Sequence, residues 1–249
     1  MSDRSAIEWT DATWNPVTGC TKVSPGCAHC YAEALTLRFH RGGAFLPGEA
    51  TVRVHPERLG IPTQWRSPRR IFVNSMSDLF HEEVPLSFIQ QVFSVMRDNK
   101  RHTFQILTKR HDRLAELAPL LPWSHNVWIG VSVENQLWAN RRIPCLKQVP
   151  AAIRFLSCEP LLKAIDLRIH LDGIHWVIVG GESGPRARPT DMAWICDLKD
   201  QCRLMGVAFF LKQLGGHPNQ RGHSKALLDG RLWREMPETK PSQLVGQRT

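Results

Sequence analysis

The sequence lacks three features that would set it apart from ordinary globular proteins: a long apolar run, an internal repeat and a low-complexity tract. Because no stretch of about 18 apolar residues occurs, we expect no membrane-spanning helix. The first residues, MSDRSAIEW, also lack the apolar segment of a secretory signal peptide, so we expect a cytoplasmic protein. With no clear linker, we expect one domain over 1–249, with 216–249 as a C-terminal extension.

Acidic residues are the scarcer charged class, because 23 Asp and Glu stand against 32 Lys and Arg, which gives a net charge of +9. A basic surface favours polyanions, nucleic acid first, although a solvated basic surface without a partner has the same composition. Arginines cluster in RVHPERLGIPTQWRSPRR (53–70) and GPRARP (184–189), and the first segment adds a tryptophan that could stack on a base. The predicted nucleic-acid contacts are Trp65, Arg66, Arg69, Arg70, Arg186 and Arg188.

Short β-rich apolar runs recur along the chain, and each ends in a polar cluster. Amphipathic segments at 86–99 and 191–205, the second beginning with Asp191 as a helix N-cap, fill two of the gaps. Strands that alternate with helices indicate a parallel sheet, so we predict an α/β fold: a full or partial (β/α) barrel of about six to seven parallel strands. The runs are RIFVNSMSD (70–78), TFQILTKR (103–110), VWIGVSVEN (127–135), IRFLSCEP (153–160), HWVIVGGES (175–183) and VAFFLKQLG (207–215).

The polar residues of these runs fall at the C-terminal ends of the predicted strands. In (β/α) barrels and open α/β sheets that edge carries the ligand site, so we expect these side chains to converge on one cavity. A binding module could use the same edge, so the pattern does not by itself indicate catalysis. The residues are Ser75, Ser77, Asp78, Lys109, Ser132, Glu134, Glu159, Glu182, Lys212 and Gln213.

Three cysteines, Cys20, Cys27 and Cys30, lie within eleven positions of NPVTGCTKVSPGCAHCYAE (15–33). Thiols stay reduced in the cytoplasm, so such a cluster favours metal binding over disulfides. Three thiolates could hold three irons of a four-iron cluster and leave the fourth iron free for a reactant. With His29 as a fourth ligand, a zinc site is the alternative. Outside the loop, Cys158 adjoins Glu159 at a strand end, where the two are candidates for catalysis.

Several segments resemble a phage and bacterial three-cysteine-motif family and, more broadly, the radical S-adenosylmethionine (SAM) superfamily. The resemblance covers about residues 7–238. It implies a [4Fe-4S] cluster on Cys20, Cys27 and Cys30, and SAM as the second cofactor. The segments are TWNPVTGCTKVSPGCAHCYAE, NSMSDLFHEEVP, ILTKR, GVSVEN, LSCEPLL, VIVGGESGPRARP, FFLKQLGG and LLDGRLWREMP.

The resemblance also implies roles in SAM binding, transferred here by strand order. The methionine amino group falls to the segment after the second predicted strand, with Ser77 and Asp78 preferred, and the methionine carboxylate to Lys109 or Arg110. The ribose hydroxyls fall to the third strand end, and adenine to a glycine pair that permits close backbone approach. The predicted cofactor-binding residues are Ser75, Ser77, Asp78, Lys109, Ser132, Glu134, Gly180, Gly181, Glu182 and Lys212.

The leading hypothesis from the sequence is a radical SAM enzyme that repairs or modifies a nucleic acid, DNA before RNA, and takes electrons from a flavodoxin or ferredoxin. Two alternatives stay open. One is a radical SAM enzyme that acts on a small molecule or a protein. The other is a nucleic-acid-binding protein whose cysteines hold structural zinc, without catalysis.

Overall fold

The computed structural model describes residues 5–39, 52–184, 186–216 and 226–238. Its strands are β1 (Ala12–Trp14), β2 (Val17–Thr18), β3 (Arg53–Val54), β4 (Arg70–Val73), β5 (Thr103–Thr108), β6 (Val127–Ser132), β7 (Ile153–Cys158), β8 (Trp176–Gly180), β9 (Ala208–Gln213), β10 (Leu227–Leu228) and β11 (Arg231–Leu232). Its α-helices are α1 (Tyr31–Phe39), α2 (Ile61–Gln64), α3 (Leu86–Asp98), α4 (His111–Leu117), α5 (Gln136–Lys147) and α6 (Met192–Leu204).

Seven parallel strands form one curled sheet in the order β1-β4-β5-β6-β7-β8-β9. Within the described residues β1 and β9 are its two edges, so the sheet is a partial barrel, and the prediction of an α/β fold with six to seven parallel strands is confirmed. Two short antiparallel pairs, β2 with β3 and β10 with β11, lie outside this sheet. No helix within the described ranges is long and apolar enough to cross a membrane.

Side chains along each strand alternate between two buried layers. On β4, Ile71 and Val73 belong to the large core beneath the helices, whereas Phe72 belongs to a second cluster inside the curl of the sheet. The inner cluster is aromatic, and Gly130 makes room for it, because a Cβ there would collide with the Phe155 ring. Its aromatic members are Trp9, Phe72, Trp128, Phe155, Trp176 and Phe210.

The helices form where the sequence predicted amphipathic segments. The buried face of α3 carries Ile89, Val92, Phe93 and Met96, which repeat at helical spacing. At the start of α6, the Asp191 side chain accepts a hydrogen bond from the Ala193 amide, so the predicted N-cap is confirmed. These helices cover the outer face of the sheet and leave its carboxyl edge open for loops.

Part of the predicted C-terminal extension lies beside the edge strand β9. The Leu211 amide donates to the Trp233 carbonyl at 2.8 Å, and Phe210 pairs with Arg234 in an antiparallel bridge. Residues 233–235 therefore bond to the outer side of β9. Residues 217–225 and 239–249 of the predicted extension lie outside the described residues.

The predicted nucleic-acid segment around Trp65 lies at the amino edge of the sheet. Trp65 is half-buried, with Arg69 5.2 Å above its ring, and Arg66 is exposed. Arg70 is the first residue of β4 and pairs with Asp11 at 3.0 Å. All parallel strands begin at this edge, so these four residues lie opposite the cysteines, which follow β2 at the carboxyl edge. Their assignment as nucleic-acid contacts stays a prediction, and it concerns a surface at the edge opposite the cysteine-lined site.

Candidate active site

The segment 19–30, here called the cysteine loop, runs across the carboxyl edge of the sheet. Gly19 forms a parallel bridge with Ser77, and the Ser77 hydroxyl donates to the Val17 carbonyl at 2.8 Å. The loop makes a 3₁₀ turn at Pro25–Cys27 and leads directly into α1. All three of its cysteines are free and partly exposed, so their sulfurs are available as ligands.

The first anchor of the loop is Arg110, which begins the turn into α4. Its buried guanidinium lies 3.5 Å from the Cys20 sulfur and donates to the Thr21 carbonyl and hydroxyl oxygens at 3.2 and 2.8 Å. Burial and the Asp78 carboxylate raise the pKa of the Cys20 thiol to about 11, and Arg110 offsets part of this. Metal binding at Cys20 must therefore displace a proton, with Arg110 in place to balance the thiolate charge.

Asp78, predicted to bind the SAM amino group, is 5% exposed, and its carboxylate is hydrogen-bonded to other groups of the protein. Its Oδ1 accepts from the Phe80 amide at 3.0 Å and from the Thr108 hydroxyl at 2.7 Å. Its Oδ2 accepts from the Lys109 amide at 3.0 Å and from Arg110 at 3.3 Å. Both oxygens are thus committed, and the carboxylate orients Arg110.

The second anchor is Glu134, predicted to hold a ribose. Its carboxylate is fully buried and accepts from Arg142 Nη1 at 2.8 Å and from the Ser24 hydroxyl of the cysteine loop. Gly26 packs against the same carboxylate so closely that a Cβ there would collide with it. The Arg142 guanidinium lies 4.0 Å from the Trp138 ring centroid. Glu134 therefore contacts the cysteine loop, whereas strand order had predicted that it contacts the cofactor.

The third anchor is Glu182, which lies in the Gly-Gly-Glu segment after β8. Arg188 donates to its carboxylate from Nε at 3.0 Å and from Nη2 at 2.5 Å, and His29 Nδ1 lies 2.9 Å away. Burial would raise the pKa of Glu182, but the hydrogen bonds from Arg188 and His29 outweigh it and hold the pKa at about 2. Arg188 also reaches the Pro25 carbonyl at 2.9 Å, while neighbouring Arg186 is exposed.

A second group of predicted residues faces the interior of the curl, above the aromatic cluster. Lys109 Nζ donates to the Ser132 hydroxyl at 3.0 Å, and Lys212 Nζ lies 2.6 Å from Glu159 Oε1. Gly180 borders this second pair, since its Cβ would lie 3.3 Å from the Glu159 carboxyl carbon. The Lys212 and Glu159 side chains are 23% and 19% exposed, so solvent reaches them. This group is suited to bind polar or charged ligand groups.

Three further predicted residues occupy other surroundings. Cys158 is fully buried in the core beneath the helices, on the face that also carries Leu156. Strand alternation turns its thiol away from the cavity, so this placement does not support the prediction of Cys158 as a catalytic group. Gly181 makes the expected close approach, but to the Leu214 backbone. The Ser75 hydroxyl donates to Asn15 Oδ1 at 3.2 Å.

Several residues that hold the site carried no clear sequence signal. His81 is 2% exposed, and its Nε2 lies 2.8 Å from the Thr21 hydroxyl. Its Nδ1 accepts from the Glu83 amide at 3.2 Å, so the proton is on Nε2 and points to Thr21. The Tyr31 hydroxyl donates to the Ser75 carbonyl. The sequence does not distinguish Arg142 from its neighbour Arg141 on the same helix. Only the contact with Glu134, seen in the structure, does so.

The spacing of the three sulfurs bears on which metal they fit. Within the described residues, Cys20, Cys27 and Cys30 do not form a group whose ligand atoms all lie within 4.8 Å of one another. Two thiolates on one tetrahedral zinc ion lie about 3.8 Å apart, given Zn–S bonds of about 2.3 Å. A four-iron cluster binds each thiolate through a different iron, so it tolerates a wider spacing. The His29 imidazole, the fourth ligand of the zinc alternative, contacts the Glu182 carboxylate through Nδ1. The donor set fits the cluster better than one zinc ion.

The fold of this chain is similar to that of solved structures of spore photoproduct lyase. A cysteine-to-serine mutant of spore photoproduct lyase aligns with a TM-score of 0.53 at 12% identity, over 82% of this chain and 75% of that one. A tyrosine-to-phenylalanine mutant of it aligns with a TM-score of 0.52 at 10% identity, over 78% and 74%. The complex of spore photoproduct lyase with a dinucleoside spore photoproduct aligns with a TM-score of 0.46 at 13% identity, over 66% of this chain and 54% of that one.

This chain thus spans 54% to 75% of the length of those structures, and the two alignments above 0.5 show a shared fold. No protein of curated function matches the chain. The family model described as "protein of unknown function (DUF5131)" matches residues 4–237, so the chain belongs to that family.

Proposed function

We propose that the protein is a radical SAM enzyme with a [4Fe-4S] cluster on Cys20, Cys27 and Cys30. The observation that carries this proposal is the cysteine loop, held across the carboxyl edge of a partial barrel by three arginine–carboxylate pairs. Three thiolates leave one iron without a protein ligand, and the Lys109–Ser132 and Lys212–Glu159 pairs lie beneath the loop. The shared fold with spore photoproduct lyase, a radical SAM enzyme, supports it.

When bound, the cluster and SAM supply a one-electron cleavage of SAM to methionine and a 5′-deoxyadenosyl radical. Lys109 lies at the end of β5 with its ammonium inside the curl, where it would neutralise the methionine carboxylate. Glu159 offers a carboxylate that would accept from the amino group or ribose once Lys212 moves aside. Asp78, Glu134 and Glu182 hold the loop, so we reassign them from ligand contacts to positioning residues. The aromatic cluster closes the floor of the cavity against water.

We further propose a nucleic-acid substrate, DNA before RNA, and repair or base modification as the reaction class. The net charge of +9 and the exposed Arg186 at the carboxyl edge support a polyanionic substrate at this face, whereas Arg188, the other residue predicted there, is paired with Glu182. Spore photoproduct lyase acts on a DNA lesion, and this chain shares its fold. A small acidic donor such as flavodoxin or ferredoxin would supply the electron. A cytoplasmic location is part of the same proposal, because free thiols persist there.

Anaerobic reconstitution with iron and sulfide tests the proposal directly. We expect about four irons per chain, and 5′-deoxyadenosine when SAM and dithionite are added. Ultraviolet-irradiated DNA, untreated DNA and RNA are then added separately, and the rate of 5′-deoxyadenosine release is compared. We expect nucleic acid to raise that rate, and the effect to weaken with salt.

Cys27→Ala is the informative variant, and Cys196→Ala on α6 is its matched control, because both remove one partly exposed thiol. We expect Cys27→Ala to lose iron and SAM cleavage and Cys196→Ala to keep both. A chain that binds one zinc and no iron would instead favour the zinc-containing nucleic-acid-binding protein. An iron-loaded chain that never cleaves SAM would contradict the proposal.

A further inference from the structure

A second group of metal-ligating side chains lies where α4 packs against α5. His111 and Asp112 begin α4, and Cys145 lies near the end of α5. One ligand atom from each of the three lies within 4.8 Å of the other two, and the described residues hold no other such group. None of these residues contributes to the cysteine loop or to its anchors.

The three groups combine the donors that zinc prefers. An imidazole nitrogen, a carboxylate oxygen and a thiolate sulfur are all zinc ligands, with bond lengths of about 2.0 to 2.3 Å. His111 Nε2 already lies 3.4 Å from Asp112 Oδ1, close to the spacing of two ligands on one tetrahedral ion. Because the three ligand atoms lie within 4.8 Å of one another, the sulfur would need to approach by roughly 1.3 Å at most, given those bond lengths.

The surroundings of His111 indicate which ring nitrogen is available. Its Nδ1 is buried and has only a weak contact with the Lys109 backbone, which leaves Nε2, the nitrogen that faces Asp112, for a metal. Asp112 is 88% exposed and Cys145 partly so, which gives an ion a path from solvent.

We propose that His111, Asp112 and Cys145 bind one zinc ion, with water as the fourth ligand. Binding releases the Cys145 proton, and the thiolate and carboxylate then balance the two positive charges of the ion. The ion would join the start of α4 to α5. Arg110, which directly precedes His111, contacts Cys20, and Arg142 of α5 holds Glu134. The zinc ion would therefore brace both helices that anchor the cysteine loop.

Cobalt(II) is the probe, because thiolate ligation gives it a charge-transfer band that zinc lacks. To remove competing thiols, the titration uses the full chain with Cys20, Cys27 and Cys30 replaced by alanine. We expect about one equivalent of cobalt to produce the band, and zinc to displace it. Adding Cys145→Ala should abolish the band, whereas adding Cys196→Ala should leave it unchanged.

A second measurement uses the chain with all cysteines, after anaerobic cluster reconstitution. Zinc is counted by mass spectrometry after gel filtration, and melting temperatures are compared with and without zinc. We expect about one zinc beyond the iron, and a zinc-dependent rise in melting temperature that Cys145→Ala and His111→Ala both lose. Absence of zinc at this site, or a band that survives Cys145→Ala, overturns the proposal. Neither measurement depends on SAM cleavage. The zinc proposal can therefore be tested even if the protein proves not to be a radical SAM enzyme.

Discussion

At the scale of single residues, each of three carboxylates at the strand ends is paired with an arginine, and each pair contacts the cysteine loop. Asp78 with Arg110 reaches Cys20, Glu134 with Arg142 reaches Ser24, and Glu182 with Arg188 reaches Pro25. Burying a carboxylate without a partner costs free energy of folding. When an arginine pairs with it, the hydrogen bonds between them fix the orientation of both groups. These pairs therefore fix the backbone of the loop before any cofactor binds.

Gly26→Ala tests the contact between the loop and Glu134. The added Cβ would collide with the buried carboxylate, whose own position is fixed by Arg142. We expect the loop to shift and the chain to retain less than about half of its iron after gel filtration, with a loss of about 1–3 kcal/mol in stability. Iron content and the melting curve are the measurements.

The matched control is Gly60→Ala, because a Cβ at Gly60 meets nothing within 4 Å and its φ is −76°. We expect iron content and melting temperature within error of the parent chain. Equal iron retention in Gly26→Ala and Gly60→Ala would contradict the role given to Glu134.

Cys158→Ala separates a core thiol from a ligand thiol. Cys158 is fully buried beneath the helices, and burial raises its pKa far above the usual range of a thiol. We expect a loss of about 1 kcal/mol in stability, as for other small core deletions, with iron content and SAM cleavage per iron unchanged. Cys20→Ala should show the reverse: little change in melting temperature and no cluster. A Cys158→Ala chain with intact fold and no SAM cleavage would restore the catalytic assignment.

At the scale of elements, the turn from β5 into α4 links the second strand end to the cysteine loop. Asp78, after β4, accepts from the Lys109 amide and from Arg110, and so aligns the start of α4. Arg110 then spans from this turn to Thr21 and Cys20. Two strand ends and one loop are thus held by a single guanidinium.

Asp78→Asn tests this link. The Asp78 and Arg110 side chains are 7% and 3% exposed, so loss of the carboxylate charge leaves a buried cation with a weaker partner. We expect a loss of about 3 kcal/mol in stability and reduced iron retention as well as weaker SAM binding. Urea unfolding, iron assay and equilibrium dialysis with SAM measure the three effects.

Asp98→Asn is the control for that variant, because Asp98 pairs with Arg97 on an exposed surface. We expect a change within about 0.5 kcal/mol and normal iron content. If Asp78→Asn keeps its iron and loses only SAM affinity, the sequence-based assignment of Asp78 to the amino group is the better one.

At the scale of the whole molecule, the two arginine-rich segments lie at opposite edges of the sheet. Arg186 lies beside the cysteine loop and its anchors, whereas Arg66 precedes β4 at the amino edge. A substrate in the candidate site reaches only Arg186. Both side chains are exposed, so the two positions form a matched pair.

We expect Arg186→Glu to reduce nucleic-acid stimulation of 5′-deoxyadenosine release by at least about tenfold at low salt, because it reverses one charge near the phosphates. Arg66→Glu should change the same rate less than about twofold. Equal effects would indicate nonspecific attraction by the whole charge. A larger effect of Arg66→Glu would move the nucleic acid to the amino edge.

Much of the fold could be predicted from sequence, because strand and helix periods are local. Six apolar runs with polar ends gave the seven-stranded parallel sheet once the opening segment was added, and Asp191 marked a helix start. The edge on which Trp65 and Arg70 lie also followed from strand direction, since Trp65 precedes β4 and Arg70 is its first residue. The face of Cys158 did not, because both faces of β7 are buried and hydrophobicity does not alternate along it.

The sequence by itself determined the three thiols, the parallel strands and the edge at which polar side chains gather. Only the tertiary structure decided what those side chains contact. Arg110 meets Cys20 and Ser24 meets Glu134 across 90 and 110 positions of the chain. Such partners depend on how the sheet curls and where the loop crosses it. Local periodicity carries no information about either, so carboxylates expected to face a cofactor were found to hold the cysteine loop.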